Sequence, residues 1–221
     1  MPDTPLPEWE ALLTSAAHLQ KIVPEAVLVG GTAAAAYARH RVSVDHDHTL
    51  SDLRVRFDTV LETLESVAGW QTARIKRPVL ILGSLDGIET GIRQLIREAP
   101  LETESVEVAG ETLTVPTRAE MLRIKAILII RRNATRDYLD FVALSELIGR
   151  NATLLALEPF DSLYPQKNEQ SARQQLQVQL ANPMPYDLDE TNLHEYKKLK
   201  REYQDWNVVA EKCRVLANVL W

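Results

Sequence analysis

Gly30 and Gly31 separate an apolar run, Ala26-Val27-Leu28-Val29, from the small residues Thr32-Ala33-Ala34-Ala35-Ala36-Tyr37. That punctuation predicts a short buried strand at 26–29, a tight glycine turn, and a helix over 32–38 whose alanines permit close packing on a sheet. A second strand is predicted over Val42–His46, and it leads into Val44-Asp45-His46-Asp47-His48. Residues i and i+2 of a strand share a face with Cα atoms about 6.5 Å apart. Asp45 and Asp47 are therefore expected on one face, with His46 and His48 on the other. Two carboxylates about 4 Å apart repel by on the order of 4 kcal/mol at an effective dielectric near 20. A divalent cation removes that cost, and Mg²⁺ favours a few carboxylates together with substrate phosphate oxygens. The glycine turn brings backbone close to a ligand, and the free amides of the helix start suit phosphate. Together these features predict a nucleotide–metal site.

The flanking pattern predicts an α+β architecture. Apolar positions Trp9, Leu12, Leu13, Ala16, Leu19 and Ile22 give a helix over Glu8–Ile22, and Leu53 to Val67 gives another that ends before Gly69. The period then changes to two. Val79–Ser84 and Ile88–Gln94 flank Asp86-Gly87, a favoured hairpin turn. A shorter hairpin is predicted over Val106–Val108 and Thr112–Val115, around Ala109-Gly110. From Thr117 the pattern is mostly helical: Thr117-Arg118-Ala119-Glu120 reads as a capping box, and a further helix follows Asn133-Ala134-Thr135. Residues 150–187 read as Pro/Asn-rich loops around one Gln-rich helix, Ser171–Leu180. Thr191–Leu220 reads as a final helix or helix pair. This divides the chain into an α/β core over 1–116 and a mainly helical domain over 117–221.

Composition narrows the function classes. A formal charge of −6 over 221 residues argues against broad coating of nucleic acid, though a local basic groove stays open. A single cysteine, Cys213, excludes an internal disulfide and a Cys-rich zinc site. Met1-Pro2-Asp3-Thr4-Pro5 lacks the pattern of a signal peptide, and Ala26–Ala38, as long an uncharged stretch as any in the chain, is too short to span a bilayer. The expectation is a soluble cytoplasmic protein without a membrane partner.

Gly30-Gly31-Thr32-Ala33, then Ser43-Val44-Asp45-His46-Asp47, then Arg136-Asp137-x-x-Asp140 resemble the abortive-infection (AbiEii-type) nucleotidyltransferases, known as toxins of type IV toxin–antitoxin systems. The resemblance covers about residues 25–148. It implies a mixed sheet with flanking helices, a metal-bound NTP (Mg²⁺ or Mn²⁺), and transfer of a nucleoside monophosphate to an acceptor hydroxyl. Some relatives act on tRNA acceptor ends, so an RNA or protein acceptor and a cognate antitoxin are the implied partners. Asp45 and Asp47 would be the metal ligands, and Gly30, Gly31 and Thr32 would hold the triphosphate. Thr32 stands where serine is frequent, and its hydroxyl can still meet phosphate. Lys125 would lie near the triphosphate, with Arg136 at the nucleotide and Asp137 in the catalytic set. Glu89, sharing a strand face with Gly91 and Arg93, is the candidate third metal carboxylate, and Gly91 would leave room for a ligand.

Each site has a plainer reading. Glu89 also fits a solvent-facing strand edge, Lys125 a snorkelling lysine, and Arg136, Asp137 and Asp140 a salt bridge tying two helices. His46 and His48 read better as core or surface residues than as zinc ligands of a hydrolase. Arg39-His40-Arg41, with Arg54 and Arg56, and separately Lys197–Arg201, fit either a polynucleotide rim or a solvated face. Trp206 and Trp221 are expected to pack the terminal helices. The alternative to an enzyme is a non-catalytic protein of the same fold that binds nucleotide or a partner.

Overall fold

The computed structural model describes residues 6–108 and 110–219. The expectations for Met1–Pro5, Ala109 and Trp221 lie outside the described residues. Two compact units form, one from residues 6–33 and 42–117 and the other from 34–41 and 118–219. No helix among the described residues is long and apolar enough to cross a membrane.

The first unit holds α1 (Leu6–Ile22), β1 (Val27–Val29), the start of α2 (Gly30–Ala38), β2 (His46–Leu50), α3 (Leu53–Glu65), β3 (Trp70–Lys76), β4 (Leu80–Leu85), β5 (Ile88–Gln94), β6 (Thr103–Val108) and β7 (Glu111–Pro116). Five strands form a mixed sheet in the order β1-β2-β5-β4-β3. β2 runs parallel to β5, and the other neighbours are antiparallel. Asp86 and Gly87 both take positive φ, +53° and +82°, as the primed turn predicted for this hairpin demands. Leu19, Val23, Leu50, Leu53, Phe57, Leu64, Ile81 and Ile92 interlock as the core between α1, α3 and the sheet. β6 and β7 pair in a separate two-stranded sheet. Gln20 of α1 fixes it by exchanging two hydrogen bonds with the Thr114 backbone, at 2.8 and 2.9 Å.

Two expectations change here. The strand expected over Val42–His46 begins at His46, so Asp45 precedes it rather than sharing its face. His46, Asp47 and His48 keep the predicted alternation: both histidines are buried, and Asp47 is half-buried. β3 carried no strand signal, because six of its seven residues are exposed.

The second unit holds the rest of α2, then α4 (Arg118–Arg132), α5 (Thr135–Ile148), α6 (Arg150–Leu157), α7 (Phe160–Leu163), α8 (Ala172–Ala181) and α9 (Trp206–Val219). α4 starts directly after Thr117, and Asn133 closes it in a left-handed conformation at φ +47°. Residues 150–187 are more helical than expected. Lys197–Arg201, expected on a helix, lie mainly in irregular chain between two 3₁₀ turns, where Lys198 has φ +52°. The ring of Trp206 meets that of Tyr138 edge-on, 5.9 Å apart, as a packing residue of the terminal helix.

Candidate active site

Asp47 is a half-buried carboxylate of the first unit. It lies in register with Val29 on β1 and with Gly91 on β5. Gly30, immediately after β1, has φ +74°, and a Cβ there would lie 3.3 Å from Asp47 Cβ and 3.4 Å from Oδ2. Only glycine takes this backbone without strain while leaving the carboxylate its space. At Gly91 a Cβ would meet Leu82 Cδ2 at 2.5 Å and Asp47 Oδ1 at 3.5 Å. The room expected there for a ligand is filled by Leu82 of β4. Arg93, two residues on, brings its Nε to 3.5 Å from Asp47 Oδ1. Both side chains keep contact with solvent, so the pair is exchangeable.

Asp45 is held by short, local bonds. The Ser43 hydroxyl donates to its Oδ1 at 2.8 Å. The buried Thr32 hydroxyl donates to its backbone carbonyl at 2.5 Å. Thr32 thus ties the first turn of α2 to the approach to β2, and its hydroxyl is engaged with protein rather than offered to phosphate. Ser43 was legible only as part of a motif; its Ser-x-Asp spacing is the signal that it bonds the carboxylate. Glu89 is exposed on β5, two residues from Gly91. Among the described residues no three His, Cys, Asp or Glu side chains gather at metal-binding distance, so Glu89 does not join Asp45 and Asp47 in such a cluster. His46 sits between the hydroxyls of Ser15, 2.9 Å, and Thr90, 2.8 Å, on the α1 side of the sheet. Burial lowers its pKa to about 4 and drives that of His48 well down, which marks both as neutral core residues.

In the second unit the structure gathers the other candidates around α5. Asp140 is fully buried and takes two hydrogen bonds from Arg41, at 2.8 and 3.0 Å, with Lys125 Nζ at 2.7 Å. Burial alone would raise its pKa; Arg41 and Lys125, helped by His40, outweigh it and hold the carboxyl well below the usual range. His40 Nε2 lies 2.7 Å away. Because an ionised carboxylate only accepts, this nitrogen donates. Burial lowers the His40 pKa and keeps the ring neutral. Asp137, also buried, is gripped by Arg132, with Nη2 donating at 2.7 Å, while Lys125 lies 3.8 Å off. Lys125 is therefore enclosed between two aspartates rather than snorkelling outward. His40 and Arg41, read as a basic rim, belong to this cluster instead. Arg136 points to solvent.

No protein-family model matches the chain. A candidate nucleotidyltransferase from H. pylori superposes with a TM-score of 0.58 at 14% identity, covering 96% of this chain and 92% of that one. ANT(2'')-Ia in complex with adenylyl-2''-tobramycin gives 0.52 at 13% identity, covering 69% and 97%. The nucleotidyltransferase-like antigen of Paracoccidioides brasiliensis gives 0.51 at 17% identity, covering 80% and 87%. The fold is that of the nucleotidyltransferases. In sequence, 124 residues are 32% identical to the mycolic acid-containing lipids exporter MmpL11 of Mycolicibacterium smegmatis and to the heme uptake protein MmpL11 of Mycobacterium tuberculosis. The match covers 55% of this chain and only 13% and 12% of those proteins.

Proposed function

We propose that this nucleotidyltransferase fold carries metal-dependent nucleotidyl transfer, of the AbiEii type that its motifs resemble. The observation that carries the reading is Asp47 on β2 beside Gly30: a carboxylate and a glycine at a helix start, so near that a Cβ on Gly30 would crowd the carboxylate. Asp45 and Asp47 offer hard oxygens, and a site of one or two carboxylates completed by substrate phosphates is what Mg²⁺ uses. The residues present fit that ion. Asp45 and Asp47 would hold it, and when bound it supplies charge neutralisation on the phosphates and activation of the attacking hydroxyl.

The chain's own contribution is positional. Gly30 and Gly31 present backbone amides to the phosphates. Ser43 and Thr32 fix Asp45 by its carboxylate and its carbonyl, and Arg93 restrains Asp47 until phosphate competes for it. The acceptor oxygen bonds to the α-phosphorus of the NTP, the bond to the β-phosphate bridge breaks, pyrophosphate leaves, and the hydroxyl proton passes to solvent. An RNA such as tRNA is the acceptor this reading favours, and growth arrest relieved by a cognate antitoxin is its cellular counterpart.

The enclosure of Lys125 and Asp137 in ion pairs favours a second reading, a binding protein of the same fold. One experiment separates the two. The protein is incubated with Mg²⁺, each α-labelled NTP in turn, and total RNA or protein, beside Asp45→Ala and Asp47→Asn. The enzyme releases pyrophosphate and labels an acceptor, and both variants are silent. NTP binding without pyrophosphate on any acceptor supports the second reading. Transfer that survives both substitutions overturns the assignment of the carboxylates.

A further inference from the structure

β5 is the strand beside Asp47, and the sheet register shows which side chains it sets there. Asp47 pairs with Gly91 on β5, Gly91 with Leu82 on β4, and Leu82 with Arg74 on β3. Thr49, Arg93, Leu80 and Lys76 form the next row. It lies on the same face, because residues i and i+2 of a strand point the same way. A Cβ at Gly91 would lie 3.5 Å from Asp47 Oδ1, so Oδ1 is the oxygen on the β5 side. A Cβ at Gly30 would lie 3.4 Å from Oδ2, which faces the helix start. The two oxygens of this carboxylate meet different surroundings.

The β5 side carries positive charge in the place expected of a third metal carboxylate. Arg93 Nε lies 3.5 Å from Asp47 Oδ1, with the arginine side chain 50% and the aspartate 30% exposed. The Thr49 hydroxyl donates to the Arg93 carbonyl at 3.0 Å and ties its backbone to β2. Arg74 and Lys76, further along the two rows, are exposed and make no ion pair among the described residues. Glu89, two residues from Gly91 in the other direction, is exposed and does not gather with Asp45 and Asp47. Two divalent ions about 3.5–4 Å apart concentrate four positive charges, and Asp45 and Asp47 supply two negative ones. An ion on the β5 side of Asp47 would also stand against the Arg93 guanidinium, and like charges about 4 Å apart repel even in water.

We propose that the site takes one divalent ion, held by Asp45 and by Oδ2 of Asp47, and that Arg93 is the resident cation on Oδ1 where a second ion would bind. This deepens the transfer reading and rests on it. Arg93 is a positioning residue: it sets which oxygen of Asp47 the ion meets, and its charge is available to the substrate phosphates. Mn²⁺ is the probe, read by the paramagnetic resonance of the free ion. It is titrated into full-length protein alone and with each α,β-methylene nucleoside triphosphate in turn. Wild type is expected to hold one Mn²⁺ per chain, alone and with the nucleotide bound, and Asp47→Asn to lose it when nucleotide is absent. Arg93→Gln should bind Mn²⁺ about fivefold more tightly without nucleotide, the loss of one solvent-exposed, salt-screened repulsion. Arg93→Lys, which keeps the charge, should stay close to wild type. A second Mn²⁺ in the nucleotide complex, or equal affinity of Arg93→Gln and wild type, overturns the proposal and leaves the carboxylate site standing. Mn²⁺ binding that Asp47→Asn does not weaken, or no binding at all, overturns the carboxylate reading and this proposal with it.

Discussion

Two aspartates of this chain do opposite work. Asp140 has no access to solvent and satisfies Arg41 and Lys125 at once. Replacing it with asparagine strands two buried cations, a change that costs about 3–5 kcal/mol. Asp47 keeps contact with water, so Asp47→Asn should move stability by only about 0.5 kcal/mol while abolishing transfer. Urea denaturation of both variants checks the contrast, and equal destabilisation would refute it. The buried histidines set the pH response. His46 is held at about 4 by burial, whereas in the unfolded chain it protonates near 6.5. The unfolded state therefore binds the proton first. The stability this neutral ring contributes is present above about pH 6.5 and is lost as pH falls toward 4, amounting to about 3 kcal/mol. His48 acts in the same direction. Asp140 adds a second loss only below about pH 4, where the unfolded carboxylate protonates before the paired one. Stability should thus fall between pH 6.5 and 4, and His46→Asn should flatten that slope in denaturation series at pH 7, 6 and 5.

Elements were legible where local chemistry and tertiary role agree. The first strand and the small-residue helix follow from residue classes in order, although the helix takes in Gly30 and Gly31 and the second strand, expected over 42–46, shares only His46 with β2; the Asp86-Gly87 hairpin follows from two residues that tolerate positive φ. β3 was invisible because its place at the sheet edge leaves Gln71 to Lys76 exposed, so no alternation records it. Its Arg74 and Lys76 are the charges that keep such an edge from pairing with another chain. Helices α6 and α7 were missed because Pro159 suggests a loop, whereas it stands just before α7, where a missing N–H costs nothing. The site was half legible. Asp45, Asp47 and Gly30 could be named from the motif, but the partners of Asp140 come from His40 and Arg41, about a hundred residues away, and no local pattern joins them. Gly30 links an element to its site, which gives a test. Gly30→Ala places a Cβ in a left-handed backbone, about 1–2 kcal/mol, and 3.3 Å from Asp47 Cβ. It should lower stability by about that amount and weaken Mg²⁺-dependent NTP binding. A variant that is destabilised but binds normally would separate Gly30 from the nucleotide.

A chain of net charge −6 repels polynucleotide in general, so an RNA acceptor requires cations gathered locally. The fold gathers them. The Lys200 backbone N–H donates to the His40 carbonyl at 2.8 Å, and Arg41 lies over the Tyr196 ring at 5.9 Å. Two basic segments about 160 residues apart in sequence, 39–41 and 197–201, therefore become neighbours. With His40 and Arg41 turned inward on Asp140, the exposed cations of this surface are Arg39, Lys197, Lys200 and Arg201. None of them belongs to the Asp45 and Asp47 set, so acceptor binding and nucleotide binding should be separable by mutation. Arg39→Glu, Lys197→Glu and Arg201→Glu together should weaken RNA binding strongly while leaving NTP affinity and stability near wild type. Each lost phosphate contact should also reduce the slope of log affinity against log salt by about 0.7 for a single strand. Fluorescence anisotropy of labelled RNA across a salt series reads both effects. If the triple variant binds RNA with an unchanged salt slope, these loops do not carry the acceptor; if it loses NTP affinity equally, the separation itself is wrong.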